Sequence, residues 1–209
     1  MLAVVFFAML GFYQYQGPGS PSLLNIAFCL FVVALVTDFL DGYLARKWKV
    51  EGAFGRVVDP FVDKVLVIGT FIFLAGKNFI DVHPGTGRAY AVTTISGVTP
   101  WMVVVILARE LLVTSLRGLS ESSGQNFGAA LSGKLKMGFQ SGTILAILVY
   151  VNYRDYLLSH RWEHIAEWIR NFGIWSTLIL TVGSGLMYVQ RAVALYRKSL
   201  LASIAQSDG

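Results

Sequence analysis

Apolar residues fill this chain in long blocks, with the polar residues collected between the blocks or at their edges. Blocks of helical character run over about residues 1–15, 22–45, 54–75, 90–116, 129–151 and 172–195. A helix needs roughly 20 such residues to cross a hydrocarbon core, so six helices and short loops use up the length. The pattern predicts an all-α integral membrane fold with six transmembrane helices, forming one membrane-embedded domain over residues 1–209. The first block is short for a span and stops at the turn signal "GPGSPS". The expectation is therefore a first helix truncated relative to a longer natural one. It lacks the basic stretch and the cleavage site of a secretory signal.

Composition strengthens the membrane reading. Of 209 residues, 55% are hydrophobic and only 14% charged, too apolar for a soluble domain of ordinary make-up. The net charge of +5 does not form one stripe, which argues against nucleic acid. It follows membrane topology instead. Arg46, Lys47, Lys49, Arg56, Lys64, Arg109, Arg117, Lys134, Lys136, Arg191, Arg197 and Lys198 gather on one side, against Lys77, Arg88, Arg154, Arg161 and Arg170 on the other. Twelve against five makes the first side cytoplasmic. Residues 153–170, with Trp162 and Trp168 at helical spacing, read as an interfacial amphipathic piece on the outer side. His83, His160 and His164 fall on that side too. The glycine pairs Gly138/Gly142 and Gly183/Gly185 read as places of close helix packing. Cys29 is the only cysteine, which excludes an internal disulfide.

Four aspartates stand out in such a chain. Asp38 and Asp41 are three apart and Asp59 and Asp63 four apart, so each pair shares a face of its helix. An unpaired Asp in mid-helix costs roughly 2.5 to 3.5 kcal/mol on insertion scales, so four approach ~10 kcal/mol before their mutual repulsion. A divalent cation offsets that cost. Carboxylate oxygens suit Mg²⁺, Mn²⁺ or Ca²⁺, and four of them can hold two ions. Gly42 and Ala45 leave the backbone approachable, Arg46 supplies a planar fork for phosphate, and Gly55 opens space on the facing helix. Singly, these residues also have bland readings: Asp59 before Pro60 as a helix cap, and Arg46 as a positive-inside residue.

Together they form a pattern. "DFLDGYLARKWKVEGAFGRVVDPFVD", residues 38–63, fits DxxDGxxAR, eight residues, then GxxxDxxxD at all eight defined positions. The chain therefore resembles the CDP-alcohol phosphotransferases, integral membrane enzymes of phospholipid synthesis. The resemblance implies that Asp38, Asp41, Asp59 and Asp63 bind two Mg²⁺ or Mn²⁺ ions, that Gly42, Ala45, Arg46 and Gly55 line the CDP moiety, and that Asp63 is the general base. It also implies a homodimer, and an active site facing the cytoplasm from the inner membrane.

The acceptor alcohol is read from two further segments. "ARELLVTSLRG" carries Arg109 and Arg117, and "LSGKLKMGFQ" carries Lys134 and Lys136. Residues eight apart on a helix differ by about 80° in direction, so both arginines can border one cavity. Arg109 lies inside an apolar run beside Glu110, where a purposeless charge pair would be expensive. Cations beside the aspartates point to an acceptor with its own phosphate. The two segments resemble bacterial phosphatidylglycerophosphate synthases, which implies CDP-diacylglycerol as donor, glycerol 3-phosphate as acceptor, and Arg109, Arg117 and Lys134 as the acceptor-phosphate site. The alternatives are the same chemistry with phosphatidylglycerol, inositol phosphate or serine. A more distant one is an ion transporter, which predicts carboxylates at mid-bilayer and interrupted helices.

Overall fold

The computed structural model describes residues 2–15, 17, 20–48, 55–84, 90–122 and 131–207. In chain order the described elements are α1 (Leu2–Phe12), α2 (Ser20–Trp48), α3 (Gly55–Leu74), a 3-10 turn (Lys77–Phe79), and a hairpin of β1 (Ile80–Pro84) and β2 (Tyr90–Thr94). Four helices follow: α4 (Pro100–Ser122), α5 (Leu131–Asn152), the short α6 (Arg154–Ser159) and α7 (Glu163–Ser207). Helices dominate, as the blocks predict. α7 packs along α4 and α5, α1 against α2 and α3, and α3 against α4 and α5.

Three boundaries differ from the sequence reading. The fourth helix begins at Pro100, and Tyr90–Thr94 is a strand antiparallel to β1, with Val82 opposite Val92 and Ile80 opposite Thr94. A run of Val, Thr and Ile is apolar in either conformation, and β-branching favours the strand. Gly97 then turns the chain at φ +72°, a left-handed conformation suited to glycine, and Pro100 opens α4 with its fixed φ. The sixth block is longer than expected. α7 starts at Glu163 and absorbs the second half of the amphipathic segment, while α6 forms the first half. Finally, Asp59 does not cap a helix, because α3 begins at Gly55 and Pro60 falls inside it. The proline there deprives the Arg56 carbonyl of its helical donor.

Among the described residues, two helical stretches are long and apolar enough by themselves to cross a membrane, Ser20–Asp38 and Glu163–Ala194, with Leu2–Phe12 a shorter apolar helix. α3, α4 and α5 have 20, 23 and 22 residues, enough rise for a crossing, but carry charges toward one end. The outer surface is rich in large apolar side chains, among them Phe12, Val104, Ile179 and Phe172. The core beneath is made by Phe6, Phe31, Phe71, Ile106, Ile144 and Leu148.

One end of the bundle, opposite the aspartates, is closed by polar bonds that satisfy helix termini. Asn78 Nδ2 donates to the carbonyls of Leu10 and Gly11 at the end of α1 (2.9 and 3.0 Å), and Ser96 Oγ donates to the Leu74 carbonyl at the end of α3 (2.6 Å). Arg154 contacts Asp81 (3.3 Å), Glu163 (3.7 Å) and the Tyr15 hydroxyl (3.0 Å). Buried Arg170 donates to the Ile95 carbonyl at 2.8 Å and lies 4.4 Å over the Tyr150 ring, tying α7 to the hairpin's exit and to α5.

Arg170→Met should therefore lower stability by about 2 to 4 kcal/mol, a charged hydrogen bond and a cation–π contact together. A fall in the Tm of the detergent-solubilised protein checks this, and an unchanged Tm contradicts it.

Candidate active site

At the other end, the C-terminal half of α2 carries Asp38 and Asp41, both exposed, and the N-terminal half of α3 carries Asp59 and half-buried Asp63. The side chains of Asp59, Gly42, Ala45, Arg46, Gly55 and Lys134 lie outside the described ones, although all six positions are helical. α2 packs on α1 and α5, and α3 on α1, α4 and α5, with little direct packing of α2 on α3 among the described residues. The two aspartate helices thus share neighbours without being locked together. Among the described residues no three carboxylates form a cluster around one point; Asp59 is the fourth member of the set. The donor chemistry fits a hard divalent cation: oxygen ligands only, with Asp38 and Asp41 open to solvent.

The cation half of the site is well defined, and Arg109 and Arg117 do meet. Arg117 Nη2 donates to the Tyr188 hydroxyl at 3.4 Å, and the Arg109 guanidinium lies 5.8 Å from the centre of the same ring. Arg109 Nη2 also donates to Ser184 Oγ at 2.9 Å, and Nη1 to Glu110 Oε1 at 3.1 Å. Glu110 is buried and pairs a second time, with Lys136 Nζ, itself only 2% exposed. One carboxylate therefore holds two cations in place, one on its own helix and one on α5. Among the described atoms, Arg109 Nε and Arg117 Nε are buried without a hydrogen-bond partner. Each guanidinium keeps a donor for something else.

Ser184 and Tyr188 were not legible as site residues. They stand four apart on α7, on the face turned to α4, and a lone hydroxyl or tyrosine in a spanning helix carries no signal of its own. Gly185 lies between them for a steric reason: a Cβ there would meet Arg109 Cγ at 3.0 Å. Among the described residues, Gly138, Gly142 and Gly183 have nothing within 4 Å of where a Cβ would stand, so they do not mediate close packing between these helices. Lys64 also enters this half from α3, donating to Thr114 Oγ1 on α4 at 2.5 Å.

Comparison with known proteins identifies the family of the chain. Residues 1–196 match the family model described as CDP-alcohol phosphatidyltransferase. A Bacillus subtilis protein named CDP-diacylglycerol–glycerol-3-phosphate 3-phosphatidyltransferase is 33% identical over 162 residues, covering 78% of this chain and 70% of the relative. Proteins of the same name from Cereibacter sphaeroides (38% over 94 residues) and, with the suffix 2, from Arabidopsis thaliana (31% over 134 residues) are similar over shorter stretches. Those stretches cover 44% and 60% of this chain, but only 34% and 51% of the relatives.

The geometry makes Glu110 the hinge of the cation cluster. Glu110→Gln should cost about 3 to 5 kcal/mol, because it leaves Lys136 and Arg109 buried without their counter-charge. Glu110→Gln combined with Lys136→Met should cost less than the two single changes summed. Thermal or denaturant unfolding of the three variants measures this, and simple additivity would show that the pair is not coupled.

Proposed function

Because the chain belongs to the CDP-alcohol phosphatidyltransferase family, we propose that it transfers the phosphatidyl group of CDP-diacylglycerol to glycerol 3-phosphate, forming phosphatidylglycerophosphate and CMP. The observation that carries the choice of acceptor is the meeting of Arg109 and Arg117 on Tyr188, each with a buried Nε–H to spare, beside Lys136 and Glu110. Four cations, Lys64 included, gather there, and two of them, Arg109 and Lys136, share the buried Glu110 carboxylate. That surplus suits a phosphate dianion and gives a neutral or zwitterionic alcohol such as serine little to bind.

The reaction divides between the two halves. Asp38, Asp41, Asp59 and Asp63 hold two Mg²⁺ or Mn²⁺ ions, which when bound would neutralise charge on the diphosphate and on its leaving oxygen. Gly42, Ala45 and Gly55 leave room for the cytidine moiety, and Arg46 offers its fork to the donor's phosphates. Arg109, Arg117 and Lys134 hold the acceptor phosphate. An Asp63 oxygen takes the proton of the acceptor hydroxyl as that oxygen bonds to the phosphorus carrying diacylglycerol. The bond from this phosphorus to the bridging oxygen breaks, and CMP leaves with the electron pair. Holding both substrates in line supplies much of the rate, since phosphoryl transfer depends mainly on position and charge.

In this reading the domain spans the membrane six times, with α1 to α5 and α7 as the spans, and works as a homodimer in the cytoplasmic membrane. Its aspartate end faces the cytoplasm, as the twelve basic residues on that side favour. The apolar surface of the bundle supports a lipid-facing exterior.

Purified protein with Mg²⁺ or Mn²⁺ and CDP-diacylglycerol, offered each alcohol separately, should release CMP with glycerol 3-phosphate and stop when the metal is chelated. Strong turnover only with inositol phosphate, phosphatidylglycerol or serine would overturn the acceptor. Asp63→Asn should lower kcat about 10²- to 10⁴-fold while retaining CDP-diacylglycerol binding; a wild-type rate would remove Asp63 as the base.

A further inference from the structure

Lys64 follows Asp63 directly on α3, but its side chain serves a different neighbour. It crosses to α4, where Nζ donates to Thr114 Oγ1 at 2.5 Å. The Thr114 hydroxyl has already committed its own proton to the Glu110 carbonyl, at 2.7 Å. Among the described residues, Lys64 therefore meets an oxygen lone pair of a neutral group and no carboxylate in hydrogen-bonding contact. Around it are more cations: Arg117 and Arg109 repel Lys64, and Arg109 and Lys64 both repel Lys136. The one buried carboxylate among them in the described residues, Glu110, has its Oε1 engaged by Arg109 and Lys136.

A half-buried ammonium placed beside two guanidiniums raises the energy of the empty site, and one neutral hydrogen bond is slight compensation. A dianion arriving between them reverses the sign of every one of these interactions. Lysine suits the task, because its three donors rotate on a flexible stem and can leave Thr114 without disturbing either helix. Its place in the chain matters as much. Arg109 and Arg117 fix a phosphate relative to α4 and, through Tyr188, relative to α7. Only a residue of α3 can fix it relative to the helix that carries Asp63.

We infer that Lys64 is a ligand of the acceptor's phosphate, exchanging Thr114 for it and so holding the acceptor in register with Asp63. The inference rests on the reading of Arg109 and Arg117 as the acceptor-phosphate site. It adds a specificity residue on the aspartate helix, and it gives Thr114 the part of a parking place for the ammonium while the site is empty.

The test compares Lys64→Met, Lys64→Arg and Thr114→Val with wild type, using equilibrium binding of labelled glycerol 3-phosphate to the solubilised protein and steady-state KM for each substrate. Lys64→Met should weaken glycerol 3-phosphate binding and raise its KM about tenfold or more, the equivalent of ~1.4 kcal/mol, with KM for CDP-diacylglycerol unchanged. Lys64→Arg should recover most of the loss, and Thr114→Val should leave acceptor binding at least as tight as in wild type. If Thr114→Val reproduces Lys64→Met, or both substrates weaken alike, Lys64 is a strut between helices and the inference fails. It fails equally if Lys64→Met binds as wild type does, or if wild type does not bind glycerol 3-phosphate. Wild type that binds glycerol 3-phosphate in a Lys64-dependent way without transferring to it would overturn the proposed reaction and leave the ligand role of Lys64 standing.

Discussion

The compensation of charge inside an apolar bundle is the constraint on which the rest of the structure depends. Glu110 shows it most plainly. A carboxylate, a guanidinium and an ammonium are buried together, and Arg109, Glu110 and Lys136 hold one another from two helices. None could remain there alone, because an uncompensated ion in such surroundings costs several kcal/mol. α4 and α5 are thus tied to each other by electrostatics, while each packs along α7 and α3. Uncharged polar groups obey the same rule: the hydroxyls of Thr143 on α5 and Thr177 on α7 bond to each other at 3.0 Å within the bundle.

The two ends of the bundle use this rule differently. At the hairpin end the polar groups are spent on one another or on helix termini, through Asn78, Ser96, Arg154 and Arg170. That end is closed and holds the helices at fixed spacing. At the aspartate end the accounts are left open: cations outnumber the buried carboxylate they face, and Asp38 and Asp41 remain exposed on a helix that packs little against α3. In the proposed reaction the cations would serve the acceptor phosphate and the exposed carboxylates the metal ions.

Much of this could be read from the residues alone. The helical blocks, the spacing of Asp38, Asp41, Asp59 and Asp63, and the oddity of Arg109 and Glu110 in an apolar run each carry a physical cost that demands explanation. The hairpin could not be read in the same way, because Val92, Thr93 and Thr94 look alike in a helix and a strand until a partner strand is known. Gly97 and Pro100 were the available signal. Lys64, Ser184 and Tyr188 escaped for another reason. Their significance lies in contacts with Thr114, Arg109 and Arg117 across 50 to 75 positions, which no local pattern encodes. Ser184 and Tyr188 at a four-residue spacing, and Lys64 next to Asp63, were the only hints.

The length of α7 has a mechanical consequence. Its 45 residues run without a break, roughly 67 Å at the helical rise and about twice a hydrocarbon core. Its early turns are stapled to the hairpin's exit by Arg170, while Ser184 and Tyr188, further along, brace the two arginines. A continuous rod pinned at one point and gripping at another behaves as a lever. A change of tilt at the first point is carried along the rod to the second, so the bracing of Arg109 and Arg117 depends on where Arg170 holds the helix.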